Sequence, residues 1–360
     1  MNIIEHALKN ELKRAVKTAF SLDLPLEDVI IEVPKLKEHG DYSTNLAMRL
    51  VKILKGNPRA LAQTLIDAID FKAAGIKSAE IAGAGFINLK MDELFLSSII
   101  GLILKADEDY GSTHQTNPLW YNIEYVSANP TGDLHPGHAR GAAIGDSLTR
   151  IMSKAGFKVT REYYLNDAGN QINNMARSLQ ARYLQACGLD IAVPEDGYHG
   201  KDLIEIAARM IEEVGPQLKS VTLEDSLPSF RQYGLKAETE KLKEDLQKFR
   251  VEFDIWTSEQ SLYDQGLVKQ TLDTLVANGH TYTAEGALFL KTTDYEDDKD
   301  RVLIKSDGSY TYILPDIAYH LNKKQRGYDK LVDLLGADHH GYIGRLQAAF
   351  QALGYQKDDL

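Results

Sequence analysis

Residues 120–156, WYNIEYVSANPTGDLHPGHARGAAIGDSLTRIMSKAG, decide the fold. The stretch begins β-rich and apolar, is broken by Pro130 and Gly132, and continues with Ala142, Ala143, Leu148, Ile151 and Met152 at helical spacing. A strand that feeds a helix through a tight turn is half of a βαβ unit. The first turn of the expected helix carries His135 and His138 around Gly137, so two imidazoles and free backbone N–H groups converge where a helix attracts anions. This turn is a candidate phosphate cradle.

Working outward, residues 157–188 and 329–354 repeat strand, polar turn and helix. Repetition at this spacing predicts an α/β fold built on a doubly wound parallel sheet, whose ligands sit outside the carboxyl ends of the strands. Asn166, Asp167, Asn170 and Gln171 fall at one such end, and Gly336, Asp338, His339 and His340 at another. Capping of the next helix explains Asn166 or Asp167 equally well. Residues 190–250 read as a charged helical insertion with breaks at Gly197, Gly215 and Pro228, and the opposite-charge pairs of 236–249 read as a solvated face. Strand signals resume at VEFDIWTSEQ (251–260), followed by a helix through Leu275 and a hairpin over 286–311. The acidic run YEDDKDR (295–301) lacks the Gly and terminal Glu of a calcium loop and reads as a solvated turn. In YTYILPDIAYHLNK (310–323), a helix starting near Pro315 is expected to bring Tyr312 and Asp316 to one pocket wall.

The N-terminal part reads as a small α+β unit. It comprises a helix over residues 1–20, a strand over 29–33, a turn at 39–45 offering Asp41 or Ser43 as a cap for the next helix, a helix opened by Pro58, two strands flanking Gly83 and Gly85, and a helix over 94–104. The Gly-Ala-Gly run lacks the third glycine and the following helix of a nucleotide fingerprint, so it reads as a β-turn. The polar stretch 111–118 is the expected linker.

Composition sets outer bounds. The 360 residues suit two domains, and 43% hydrophobic with 26% charged residues indicates neither disorder nor a membrane protein. The amphipathic N-terminus does not read as a signal peptide, and the expected location is cytoplasmic. The single cysteine, Cys187, excludes an internal disulfide and a Cys-rich zinc site. A net charge of −11 argues against a generally basic nucleic-acid binder. Residues 1–90 nevertheless hold 13 Lys and Arg against 11 Asp and Glu, which suits an RNA gripped locally and suits ordinary solvated helices as well. His135, His138, His339 and His340 lack the carboxylate or thiolate that a metal centre usually adds, so no metal site is expected.

Five ordered segments, SANPTGDLHPGHARG (127–141), REYYLNDAGNQI (161–172), FDIWTSEQSL (253–262), YTYILPDIAYH (310–320) and LLGADHHGY (334–342), resemble the bacterial arginyl-tRNA synthetase family of class I aminoacyl-tRNA synthetases. The resemblance implies a tRNA-contacting domain over 1–115 and a Rossmann-like catalytic domain over 116–360. It implies L-arginine, ATP with Mg2+ and tRNA(Arg) as partners of a monomer with no membrane association. His135 and His138 would be catalytic and bind ATP with Gly137, Gly336, Asp338 and His339. Ser127 and Asn129 would hold the amino acid's main-chain groups. A guanidinium needs carboxylates. Asp316 is the first choice, then Glu124 and Glu259, with Tyr312 as a wall over the planar group. Read without the resemblance, Glu124 is an edge-strand charge and Tyr312 ordinary core.

Members of that family continue with a Lys-Met-Ser-Lys-like loop and an anticodon-gripping helical domain. On that reading the chain is an N-terminal fragment, expected to bind arginine or ATP weakly and to aminoacylate negligibly. Position 133 is Asp where the family often has Pro. The alternatives from other classes are a non-catalytic binding protein derived from a synthetase and a small-molecule adenylyltransferase sharing the His-x-Gly-His turn.

Overall fold

The computed structural model describes residues 3–336 and 340–360. The chain divides into two compact units, Met1–Ser112 and Thr113–Leu360.

In the first unit, helix α1 (Ile3–Phe20) presents Leu8, Leu12, Ala15 and Val16 at helical spacing, and all four are buried. Strand β1 (Tyr42–Thr44), helices α2 (Leu46–Leu54) and α3 (Pro58–Ala68), strands β2 (Ile76–Ala82) and β3 (Phe86–Met91) and helix α4 (Glu93–Ala106) follow. The strands form an antiparallel sheet in the order β1-β3-β2. Pro58 opens α3 as expected, and the Asn57 side chain accepts from the Arg59 N–H at 2.9 Å. Two local expectations fail. Residues 29–33 make only a bridge, Glu32 to Ser43, because Pro34 cannot donate to a ladder. The cap of α2 is neither Asp41 nor Ser43. The Thr44 hydroxyl accepts from the Leu46 N–H at 3.2 Å, while Asp41 accepts from the Met91 N–H at 2.8 Å and ties down the end of β3.

The second unit starts with β4 (Trp120–Glu124), α5 (Pro136–Lys154) and β5 (Lys158–Leu165). Helices α6 (Asn170–Ala186), α7 (Lys201–Val214) and α8 (Leu223–Lys248) stand between β5 and β6 (Ile255–Ser258). Helices α9 (Glu259–Asp264) and α10 (Leu267–Ala277) lead to a three-stranded antiparallel sheet of β7 (Thr281–Ala284), β8 (Ala287–Leu290) and β9 (Arg301–Ile304). Helix α11 (Ile313–Gln325), strand β10 (Lys330–Asp333) and helix α12 (His340–Ala352) complete the unit. The main sheet is wholly parallel, in the order β10-β4-β5-β6, which is the predicted doubly wound arrangement. Helix α5 lies close on β4: a Cβ on Gly145 would fall 2.2 Å from Cγ of Tyr125. The acidic run is a salt-bridged turn in which Asp297 takes Nε of Arg301 at 2.7 Å. No described helix is long and apolar enough to cross a membrane.

Candidate active site

The chain leaves β4 for β5 on one side and returns as β10 on the other, so the carboxyl ends of β4 and β10 flank the switch point of the sheet. A cavity of about 250 Å³ opens there, lined among others by Glu124, Ser127, Tyr164, Asp316, Gly336 and Tyr342. The backbone just past β4 is strained. Val126 and Ser127 have φ of +69° and +41°, a left-handed region that is a genuine outlier for a β-branched residue and costs on the order of 1–3 kcal/mol per residue. Hydrogen bonds hold it in place: the Ser127 hydroxyl donates to Glu124 at 2.8 Å and accepts from the Tyr164 N–H at 3.1 Å.

The floor is a row of acids. Asp333, Glu124 and Glu162 are register partners on β10, β4 and β5 and so project from one face of the sheet. Adjacent like charges in a sheet repel, and burial makes this worse. Helix α11 answers with a row of bases. Lys323 Nζ lies 2.6 Å from Glu124 and 3.0 Å from Asp333, and is fully buried. Arg326 reaches both oxygens of Glu162 at 2.8 Å. His320 donates from Nε2 to Asp333 at 2.6 Å and from Nδ1 to the Asp316 carbonyl at 2.7 Å. Both ring nitrogens face acceptors, so both carry protons and the ring is an imidazolium. Burial works against that charge, and Asp333 outweighs it, holding the His320 pKa above its ordinary value. Glu124, His320 and Asp333 are close enough to ligate a metal, but the Lys323 ammonium already sits between the two carboxylates.

Two further carboxyls near the cavity lack such partners. Asp316 and Glu259 have no ion pair among the described residues. Burial pushes Asp316 up to about 6, against the pull of a hydrogen bond from the Tyr342 hydroxyl. Burial likewise pushes Glu259 up to about 7, with the Tyr164 hydroxyl against it and the charge of Asp316 adding to the shift. A buried acid pair held partly protonated for want of a cation is a receptor for one.

The His turn works differently from expectation. His135 is the N-cap of α5: its Nδ1 accepts from the Gly137 N–H at 3.1 Å, while His138 Nδ1 accepts from the His135 N–H at 3.3 Å. Pro136 has no N–H. The backbone donors of this turn are therefore largely consumed by the imidazoles, and the rings stack at 3.7 Å. With Nδ1 accepting, each ring carries its proton on Nε2, so the anion-facing donors are the imidazoles. Burial and the neighbouring His135 lower the His138 pKa.

Glu124, Ser127, Gly336 and Asp316 meet at one cavity, with Glu259 beside Tyr164. Asn129 donates to Gln171 at 2.7 Å, joining the β4 turn to α6. Asp167 is a structural cap, accepting from the Gln260 N–H at 2.9 Å and the Ser258 hydroxyl at 2.6 Å. Asp338 and His339 lie outside the described residues. Asp316 lines the cavity and Tyr312 does not. Tyr312 precedes the first residue of α11 and its ring is 82% exposed, whereas Tyr342 of α12 touches Asp316. Glu124 is not an edge charge, because β4 is flanked on both sides. Lys323, His320 and Tyr342 escaped the sequence reading. The signal for the first two was a polar stripe at 316, 320 and 323, helical spacing that puts three ionisable side chains on one face among Ile313, Leu314, Ile317 and Leu321.

A parallel α/β unit with paired imidazole donors at a helix N-terminus and an acidic cavity at its switch point offers chemistry for an anionic group at the first and for a cationic group at the second. The chain belongs to the arginyl branch of the class I tRNA synthetases: residues 100–360 match the family described as tRNA synthetases class I (R), catalytic domain, and residues 3–91 match the arginyl tRNA synthetase N terminal domain. It is 52% identical over 364 residues to the arginine--tRNA ligase of Bacillus licheniformis, covering all of this chain and 66% of that protein. A putative arginyl tRNA synthetase from Campylobacter jejuni superposes with a TM-score of 0.68 at 37% identity, over 74% of this chain and 58% of that one. The Plasmodium falciparum arginyl-tRNA synthetase shares the fold, with a TM-score of 0.63 at 16% identity over all of this chain and 64% of that one. The chain thus spans just under two thirds of the length of the curated relative it matches.

Proposed function

We propose that this chain carries the arginine-activating centre of an arginine--tRNA ligase acting in the cytoplasm. In that reaction an oxygen of the arginine carboxylate attacks the α-phosphate of ATP in line, the bond to the β-phosphate oxygen breaks, and pyrophosphate leaves. The arginyl group of the adenylate then passes to a ribose hydroxyl of the terminal adenosine of tRNA(Arg), releasing AMP. Such chemistry needs positioning and charge stabilisation more than covalent help. His135 and His138 donate from Nε2 to the phosphates, Gly137 leaves room for the adenine, and Gly336, Asp338 and His339 border the nucleotide. Mg2+ arrives with ATP as part of the substrate. Ser127 and Asn129 hold the amino acid's main-chain groups. Asp316 and Glu259 take the guanidinium beside Tyr164 and Tyr342, while Glu124, already paired with Lys323, supports Ser127. Residues 1–115 supply tRNA contacts.

The observation that carries this reading is the pair of buried carboxyls without a cation, Asp316 and Glu259. Calorimetric titration with L-arginine and with L-citrulline, which keeps the shape and loses the charge, tests it. Loss of a charge-assisted pair in a dry pocket costs roughly 2–5 kcal/mol, so arginine binds tens to thousands of times more tightly. Asp316→Asn abolishes that preference. Equal affinity of the two ligands for the folded chain would sink the assignment.

A further inference from the structure

Apart from the support that Glu124 gives Ser127, the charges beneath the cavity are left unused by the activation chemistry, and their arrangement restricts what the cavity accepts. Asp333 and Glu124 stand side by side on neighbouring parallel strands. Two buried carboxylates in that position attract any cation that enters. Lys323 meets both from the opposing helix, at 2.6 Å and 3.0 Å, with its side chain fully buried and its ammonium 4.3 Å from the Tyr319 ring centroid. Asp316 lies on the same helix, two turns earlier. One helix thus presents an unpaired carboxyl to the cavity and an internal cation behind two of the acids that line it, Glu124 and Asp333.

We propose that Lys323 is a specificity-determining positioning residue: its ammonium fills the cation seat between Glu124 and Asp333, so that an incoming cationic side chain is read by Asp316 and Glu259 alone. The inference rests on the assignment of the cavity to a guanidinium-bearing substrate. It adds that the selectivity belongs to the cavity because its deeper acids are already occupied. Without Lys323, Glu124 would stand uncompensated beside Asp316 and Glu259 while Asp333 kept His320, and a dry site with three such carboxylates would admit dications and bind them in several registers, whereas one with two takes a monocationic head group in one pose.

Lys323→Ala in the 360-residue chain empties the seat and leaves room for a small alkylammonium. Calorimetric titration with n-propylammonium chloride is expected to give saturable binding and a raised melting temperature for Lys323→Ala and neither for the unsubstituted chain. Tetramethylammonium, which has the charge but no N–H donor, gives no binding. The second readout is the arginine-to-citrulline affinity ratio. In the Lys323→Ala background the freed Glu124, next to an Asp333 held by His320 alone, also attracts the guanidinium, so adding Asp316→Asn lowers the ratio by less than about 3-fold. In the unsubstituted background the same change lowers it by about 10-fold or more. Propylammonium restores the dependence on Asp316, which a merely structural role of Lys323 does not predict.

If Lys323→Ala fails to fold, Glu124→Gln with Lys323→Met removes one anion together with the cation. That pair is expected to keep both the arginine preference and its dependence on Asp316, and loss of either overturns the proposal. A folded Lys323→Ala that ignores propylammonium and depends on Asp316 as before also overturns it. Propylammonium binding to Lys323→Ala, with no arginine preference in the unsubstituted chain, leaves the cation seat standing and removes the arginine assignment instead.

Discussion

Asp333, Glu124 and Glu162 lie across three neighbouring strands with His320, Lys323 and Arg326 set against them, whereas Asp316, one helical turn before His320, and Glu259 are similarly buried with no ion pair among the described residues. The first group is matched charge for charge within the chain. The second holds its charge in reserve, protonating in part where no cation is supplied. Burial alone therefore does not separate a structural carboxylate from a functional one, and the partner does. Each group predicts a different response to perturbation.

The largest effect belongs to the matched row. Glu162 is fully buried and both its oxygens accept from Arg326, so Arg326→Met leaves a buried carboxylate without its ion pair and is expected to cost about 3–5 kcal/mol, read as a lower urea midpoint. Glu162→Gln added to Arg326→Met removes the stranded charge and recovers most of the loss. Equal stability of the single and double variants would show that Glu162 is solvated or neutralised some other way, and the contrast between the two groups would weaken.

How far each group was legible in the sequence follows from the same physics. Strand, turn and helix recur with local signals, so the parallel sheet and the His turn could be read from residues 120–156 and 157–188 alone. Asp316 stood out by its place in YTYILPDIAYH and because a guanidinium needs a carboxylate. Its surroundings were not legible, because Glu124, Lys323 and Asp333 are brought together by strand register and helix packing across up to 209 residues of chain. Tyr312 was not placed by its spacing either: its backbone is helical at the N-cap of α11, yet the residue is 82% exposed and does not line the cavity, because spacing sets a face of a helix and not what packs on it. The backbone donors of the His turn failed because a histidine at an N-cap uses the N–H groups that a phosphate would need.

The unmatched pair predicts a pH dependence. The folded-state pKa of Asp316 is raised to about 6, so the folded chain binds a proton that the unfolded chain has released. That contribution is complete below the unfolded pKa and is lost as pH rises through about 6. Between pH 4 and pH 8 it amounts to about 2 kcal/mol. Glu259 acts in the same direction up to about 7. The difference in unfolding free energy between the unsubstituted chain and Asp316→Asn should therefore shift in favour of the variant as pH rises over that range. Arginine affinity should rise with pH between 5 and 7, with proton release detectable as a buffer-dependent binding heat. A pH-independent difference between the two chains would mean that a cation from the chain already faces Asp316, and the pair would join the matched group.

The smallest expected effect on stability is at the His turn, where it separates two roles of one residue. His135 caps α5 through Nδ1 and offers a donor through Nε2. His135→Ser keeps the first role, since serine is a preferred N-cap, and discards the second. Stability should change by less than about 0.5 kcal/mol, while affinity for an unreactive ATP analogue falls by about 10-fold, the worth of one phosphate-directed hydrogen bond. His138→Ala, by contrast, removes the acceptor of the His135 N–H as well as a donor, so it should lower both. If His135→Ser destabilises the chain and leaves nucleotide affinity unchanged, the imidazole acts as a cap and stacking partner for His138, and the phosphates must find their donors elsewhere along the strand ends.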